Sequence, residues 1–245
     1  MAVKRAHTVS KGYMRGWADT RRRVEVIDFE EGRGYLSSIE NATVVSYAYE
    51  PEFLTHNLEF EYEQLESTGT RILDALRGGS RELSSDDRQS LVAFLDMHLD
   101  RGRYADQTKV RIPAVALMND GSLVETGLNV GDRVLLSRSR TDLVRLADLD
   151  ITDWPWHVVR TLQPLVTGDG AVLLFAAAGS QEVCTLAFPL SPSHLLVGGQ
   201  GWEGSISPNT MIQNNTRRWL IGVPGALKLD QASTFAAERR QTAIW

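Results

Sequence analysis

One cysteine, Cys184, in 245 residues leaves no partner for an internal disulfide and no cysteine-based metal site, which fits a reducing compartment. Its surroundings, "EVCTLAF", alternate as a strand does, so the thiol is expected to act as a small buried hydrophobe rather than a nucleophile. Long apolar runs are also missing. The longest, "AVLLFAAAG", is too short to span a bilayer, and the basic N-terminal residues precede no apolar signal core, so a cytoplasmic location is expected. There is no GxGxxG after a strand, no GxxxxGK[ST], no GxSxG and no HExxH. These absences argue against a dinucleotide-binding turn, a P-loop, a nucleophile elbow and a helical zinc pair. His56, His98, His157 and His194 are accordingly expected to be structural.

What is present is an uneven charge distribution inside a net charge of −5. Residues 1–23 hold seven basic side chains against Asp19 alone, a local charge of +6. Residues 24–66 hold eleven acidic side chains against Arg33, a local charge of −10. Blocks of opposite sign can simply lie against each other; the functional alternative is a basic arm that meets phosphate or another anion. A pI near 5.6 opposes broad nucleic-acid binding, so any anion site must be local.

The apolar pattern predicts one α+β domain over residues 1–229, with a helical middle, a β-rich second half closed by a C-terminal helix, and a peripheral or frayed tail over 230–245. "RRVEVIDFE" reads as an exposed strand ending in the "EGRGY" turn, and "ATVVSYAYEPEF" as a second β-type run stopped by Pro51. Helical spacing runs from Leu58 to Leu76, stopped by Gly78 and Gly79, and again after Ser84 or Ser85. "SLVETGLNVGDRVLLSRSR" reads as a turn and strand, and "TDLVRLADLDITDW" as holding a short helix. Residues 156–177 read as two strands around a Gly-Asp-Gly turn, and "CTLAFPLSPSHLLVGG" as two more. "SPNTMIQNNTRRWLIG" reads as a helix capped by Ser207 and ended by Gly222, and residues 198–202 as a glycine-rich surface loop or lid.

Seven stretches in a fixed order carry a family resemblance: "HTVSKGYMRGWAD", "EFEYEQLESTGTRIL", "LSSDDRQSLVAFLDMHLDRGR", "WPWHVVRTL", "LVTGDGAVL", "AFPLSPSHLL" and "NTMIQNNTRRWLIG". Their combination over residues 7–222 resembles domain-of-unknown-function family 4238, a set of uncharacterised, mainly microbial proteins. The resemblance implies a shared fold and a polar site that includes His7, the spaced glutamates Glu59 and Glu66, and an arginine at the end of the second helix. Thr8 and Ser10 stand where the family usually has an aromatic residue and a proline, while Gly168 and Ala171 replace a serine and a proline around Asp169.

His7 can serve as a general base or a metal ligand, or merely sit at the surface. Glu59, Glu63 and Glu66 share a helix face, either as a solvated acidic stripe or as carboxylates that hold a divalent cation with Asp169. Asp169 is either a plain turn residue or a carboxylate presented from a rigid sheet edge. Arg15, Arg101 and Arg103 offer bidentate donors for phosphate or carboxylate, and Asn214 and Asn215 offer orienting amides. The expected site thus has His7, Glu66 and Asp169 as catalytic groups and Arg15, Arg101, Asn214 and Asn215 as binding groups. The expected activity is hydrolysis of a phosphodiester or another anion, with a small anionic ligand or nucleic acid as partner. The alternative is a binding or sensor protein without turnover.

Overall fold

The structure of the protein is a computed structural model that describes residues 5–46, 49, 51, 53–54, 56–80, 82–140, 143, 145–177, 179–200 and 207–242. The opening segment forms β1 (Ala6–His7), a short helix α1 (Lys11–Met14) and a 3-10 turn over Arg15–Trp17. The strand expected after it is β2 (Arg23–Asp28), which pairs with β3 (Arg33–Ser38), a strand not expected from the sequence; then comes β4 (Val44–Val45), which pairs with β1. The helical middle is α2 (Leu58–Arg77) and α3 (Ser85–Arg103), the latter capped by the Ser84 side chain accepting from the Asp87 amide. Next come β5 (Ile112–Leu117), β6 (Leu123–Leu128) and α4 (Val130–Ser137), then 3-10 turns over Leu146–Leu149 and Ile151–Asp153. The remainder is β7 (Trp156–Arg160), β8 (Thr167–Gly168), β9 (Leu173–Ala176), β10 (Val183–Ser191), β11 (His194–Gly199), α5 (Pro208–Asn215), β12 (Trp219–Gly222) and α6 (Ala232–Thr242).

This is the expected α+β mixture with a C-terminal helix. Two four-stranded antiparallel sheets, ordered β7-β11-β10-β9 and β3-β2-β12-β8, carry most of the strands. Each central strand is buried on both faces, and its alternate residues enter different cores. In β2, Val24 and Val26 face the main core and Ile27 a smaller one; in β10, Leu186 and Phe188 face the first and Ala187 the second. The main core adds the inner faces of α2 and α3 and the anchors Tyr13 and Trp17, while the smaller one is closed by Ile212 of α5. Among the described residues, no helix is long and apolar enough to cross a membrane.

Several expectations are corrected. β2 is not an exposed strand, because its buried acidic positions have partners: Glu25 accepts from the amides of Gly225 and Leu227, and Asp28 pairs with the buried Arg218. "GLNVGDRVLLS" makes a helix rather than a strand, because Asn129 and Asp132 form a capping box that fixes its first turn. The Gly-Asp-Gly sequence is no hairpin turn. It carries the chain from β8 in one sheet to β9 in the other, and Gly168 and Gly170 are needed for close packing: a Cβ would meet Trp219 O at 2.3 Å and the Asn215 carbonyl carbon at 2.3 Å. The last predicted helix ends at Asn215, and Trp219–Gly222 instead inserts between β2 and β8. The segment expected to be a peripheral or frayed tail holds α6, a helix at the periphery with Ala232 and Ala236 buried. Of the predicted glycine-rich loop, Gly198 and Gly199 end β11, while Gly201 and Trp202 lie outside the described residues.

Candidate functional site

The opening segment is pinned at both ends, and this sets where His7 sits. Its pairing with β4 places His7 opposite Val44, and Thr43 ties the next turn through a hydroxyl bonded to both the amide and the carbonyl of Val9. Further along, Tyr13 is fully buried, bonded to Thr167 at 2.6 Å and to Pro189 O at 2.7 Å, while the Trp17 indole donates to Leu165 O at 2.8 Å. The aromatic residues are thus anchors. The imidazole between them and the chain end is left half-buried, with Nε2 buried and, among the described residues, without a hydrogen-bond partner.

Two helices bring the charges to that imidazole. Glu66 comes from α2 and Arg101 from the end of α3, and Arg101 Nη1 donates to Glu66 Oε1. Arg101 is almost wholly buried, whereas a quarter of the Glu66 side chain reaches solvent. The guanidinium lies between two tyrosine rings, 4.6 Å from the centroid of Tyr62 and 5.2 Å from that of Tyr49, and its Nε has no partner. Burial lowers the His7 pKa from its ordinary value; Glu66 opposes this, while Lys11 and Arg101 add to it. His7 is therefore neutral at pH 7, with a free ring nitrogen. Burial disfavours the charged form of Arg101, but Glu66, Tyr49 and Tyr62 together outweigh it and raise its pKa.

Arg101 reaches this place because its neighbour is glycine. A Cβ on Gly102 would lie 2.1 Å from the main-chain oxygen of Asp169, so α3 packs directly on the 168–170 segment. His98, one turn earlier, donates from Nε2 to Gly168 O at 2.9 Å, and burial pushes its pKa down to about 4. It is a neutral structural histidine, as expected.

His7, Glu66 and Arg101 are thus brought together, and other predicted site residues are not. Asp169 is close by, but its carboxylate is committed: Oδ1 accepts from the Arg217 amide at 2.6 Å, and Oδ2 from the amides of Arg218 at 2.9 Å and Trp219 at 2.6 Å. Burial pushes its pKa up to about 6 while these three amides pull it down. Asn215 clamps the main chain, donating to Gly170 O at 2.8 Å and Val172 O at 3.2 Å. Asn214 and Asn215 face a cleft of about 610 Å³ walled by Leu99, Phe175 and Met211. Arg15 is exposed and is not among the charges that act on His7. Arg103 bonds Asp100 at 2.8 Å, and Glu63 turns to solvent. The carboxylate set expected to hold a divalent cation therefore does not assemble, and among the described residues no three His, Cys, Asp or Glu side chains are grouped as metal ligands.

Tyr49 and Tyr62 are the site residues that were missed. Tyr62 stands three residues after Glu59 and four before Glu66, the spacing of one helix face, so its place beside them was available from the pattern. Tyr49 comes from an irregular segment and had no such signal. Comparison of the chain with family models, curated proteins and solved structures finds no match.

Proposed function

We propose that this chain hydrolyses a phosphodiester or similar anionic substrate at the site formed by His7, Glu66 and Arg101. The observation that carries this reading is the pairing of unused groups: an imidazole Nε2 and a guanidinium Nε, both buried and without partners, on side chains close enough to influence each other. As the water oxygen bonds to phosphorus and the bond from phosphorus to the alcohol oxygen breaks, His7 would take the water's proton and return it to the departing oxygen, since burial keeps the imidazole unprotonated at pH 7. Arg101 would hold the anion from between its tyrosines, and Glu66 would position the guanidinium. Asp169 has no catalytic role in this scheme, because its oxygens already bind three amides.

That loss of an acid favours a second reading, in which the same groups bind a small anion without turnover. An assay with bis(4-nitrophenyl) phosphate separates the two. The hydrolase reading expects turnover that falls by roughly 10²–10⁴-fold in His7→Asn, with the substrate still bound. Binding without turnover in the wild type would select the second reading, and neither would sink both. Activity should rise with pH to a plateau, with its midpoint below the ordinary histidine value, because the base must be neutral and burial lowers its pKa.

We further propose that the chain is a divergent member of domain-of-unknown-function family 4238. Three of the stretches that carry the resemblance supply His7, Glu66 and Arg101, and these converge. A cytoplasmic location is part of the same reading, supported by the lone, unpaired Cys184.

A further inference from the structure

A separate cleft of about 480 Å³ opens between α2, α3 and the 3-10 turns at 146–153. Its floor is apolar, made by Leu65, Val92, Ala93 and Met97, and its wall is polar. Among the described residues, every carboxylate on that wall is engaged. Glu61 receives both Arg138 Nη1 at 3.1 Å and Nη2 at 2.7 Å. Asp96 accepts from the amides of Leu146 and Ala147 at 2.7 and 3.0 Å. Asp100 bonds Arg103 at 2.8 Å and lies 3.6 Å from Arg145 Nη1.

The groups left over are donors. Arg145 places Nη1 toward Asp100, but its Nε and Nη2 are buried and without partners among the described residues. Those two N–H groups lie along one edge of the planar guanidinium, the arrangement that meets both oxygens of a carboxylate. The Tyr62 hydroxyl, on a side chain 1% exposed, lines the same cleft and also has no partner among the described residues. We propose that this cleft binds a small monocarboxylate with an apolar body: its two oxygens take the Nε and Nη2 edge of Arg145, and its carbons lie on Leu65, Val92, Ala93 and Met97. A dianionic phosphate fits less well, because one open guanidinium edge faces it beside three carboxylates. The cleft does not depend on the hydrolase reading, since His7 takes no part in it.

The test is isothermal titration of the whole chain with sodium hexanoate, sodium phosphate and hexan-1-ol. Saturable binding of hexanoate, weakened about tenfold or more in Arg145→Lys and unchanged in His7→Ala, is expected, because lysine keeps the charge but not the fork. Hexan-1-ol should bind more weakly than hexanoate, and equimolar phosphate should not displace bound hexanoate, whatever phosphate does at Arg101. A wild type that does not saturate with hexanoate, equal affinity in Arg145→Lys, or displacement of bound hexanoate by equimolar phosphate would each overturn the proposal. Should Arg145→Lys fail to fold, Ala93→Leu decides: it fills the floor from a half-buried position and should also weaken hexanoate about tenfold or more. Undiminished affinity in that variant would equally sink the idea.

Discussion

Histidine and tryptophan ten residues apart in the same opening segment do opposite jobs. Trp17 is fully buried and hydrogen-bonded, whereas the His7 ring is half-buried and Nε2 contributes no bond to the fold. Urea denaturation should therefore find Trp17→Ala destabilised by about 3–5 kcal/mol, as for other buried large aromatics, and His7→Ala within about 1 kcal/mol of the wild type. Equal losses would make His7 structural and remove the base from the proposed reaction. Asp169 belongs with Trp17. Replacing it by asparagine keeps the shape but turns an NH₂ group toward at least one of three amide donors, so a loss of about 3 kcal/mol is expected from the same measurement.

α2 and α3 approach each other closely because α2 carries a glycine at the crossing. A Cβ at Gly69 would come within 2.4 Å of the Phe94 ring. Gly69→Ala gains about 1 kcal/mol in helix propensity but forces a fully buried ring to move, at about 1–3 kcal/mol, so its net effect on the thermal midpoint should be a decrease. These two helices were legible in the sequence almost to their ends, since their apolar spacing and Ser84 cap are local signals. α4 was not, because its capping box lies behind a strand-like "SLVETGL" run. β12 was not legible either. Its Trp-Leu-Ile run follows a helix without a break residue, and the amides that would continue that helix are taken by Asp169, about fifty positions earlier. Of the candidate site, His7, Glu66 and Arg101 could be named from residue type and position together with the family resemblance. The commitment of Asp169 and Asn215 to main-chain partners could not, because those partners are distant in sequence.

Over the whole molecule, two buried groups pull the pH dependence of stability in opposite directions. The folded pKa of His98, about 4, lies below the ordinary 6.5, so its contribution is fully present above pH 6.5 and is lost as pH falls towards 4. The folded pKa of Asp169, about 6, lies above the ordinary 3.8, so its contribution is present below 3.8 and is lost as pH rises through 6. The two offset each other between pH 4 and 6.5. Comparison with His98→Gln isolates the first: the stability difference, wild type minus variant, should fall by on the order of 3 kcal/mol from pH 7 to 4. A constant difference across that range would show that His98 is not held neutral.

The pairing of β2 with β12 has a consequence for how the protein is made. Asp28 and Arg218, joined across those strands, are 190 residues apart. A ribosome adding about 5–20 residues per second needs roughly 10–40 s between them. During that interval β2 has only β3 beside it, and the edge that β12 will occupy stands open to any other extended chain. Nascent chains halted before β12 emerges should thus be the species that chaperones hold and proteases clear, while the helical pair, whose contacts are local, can already have formed.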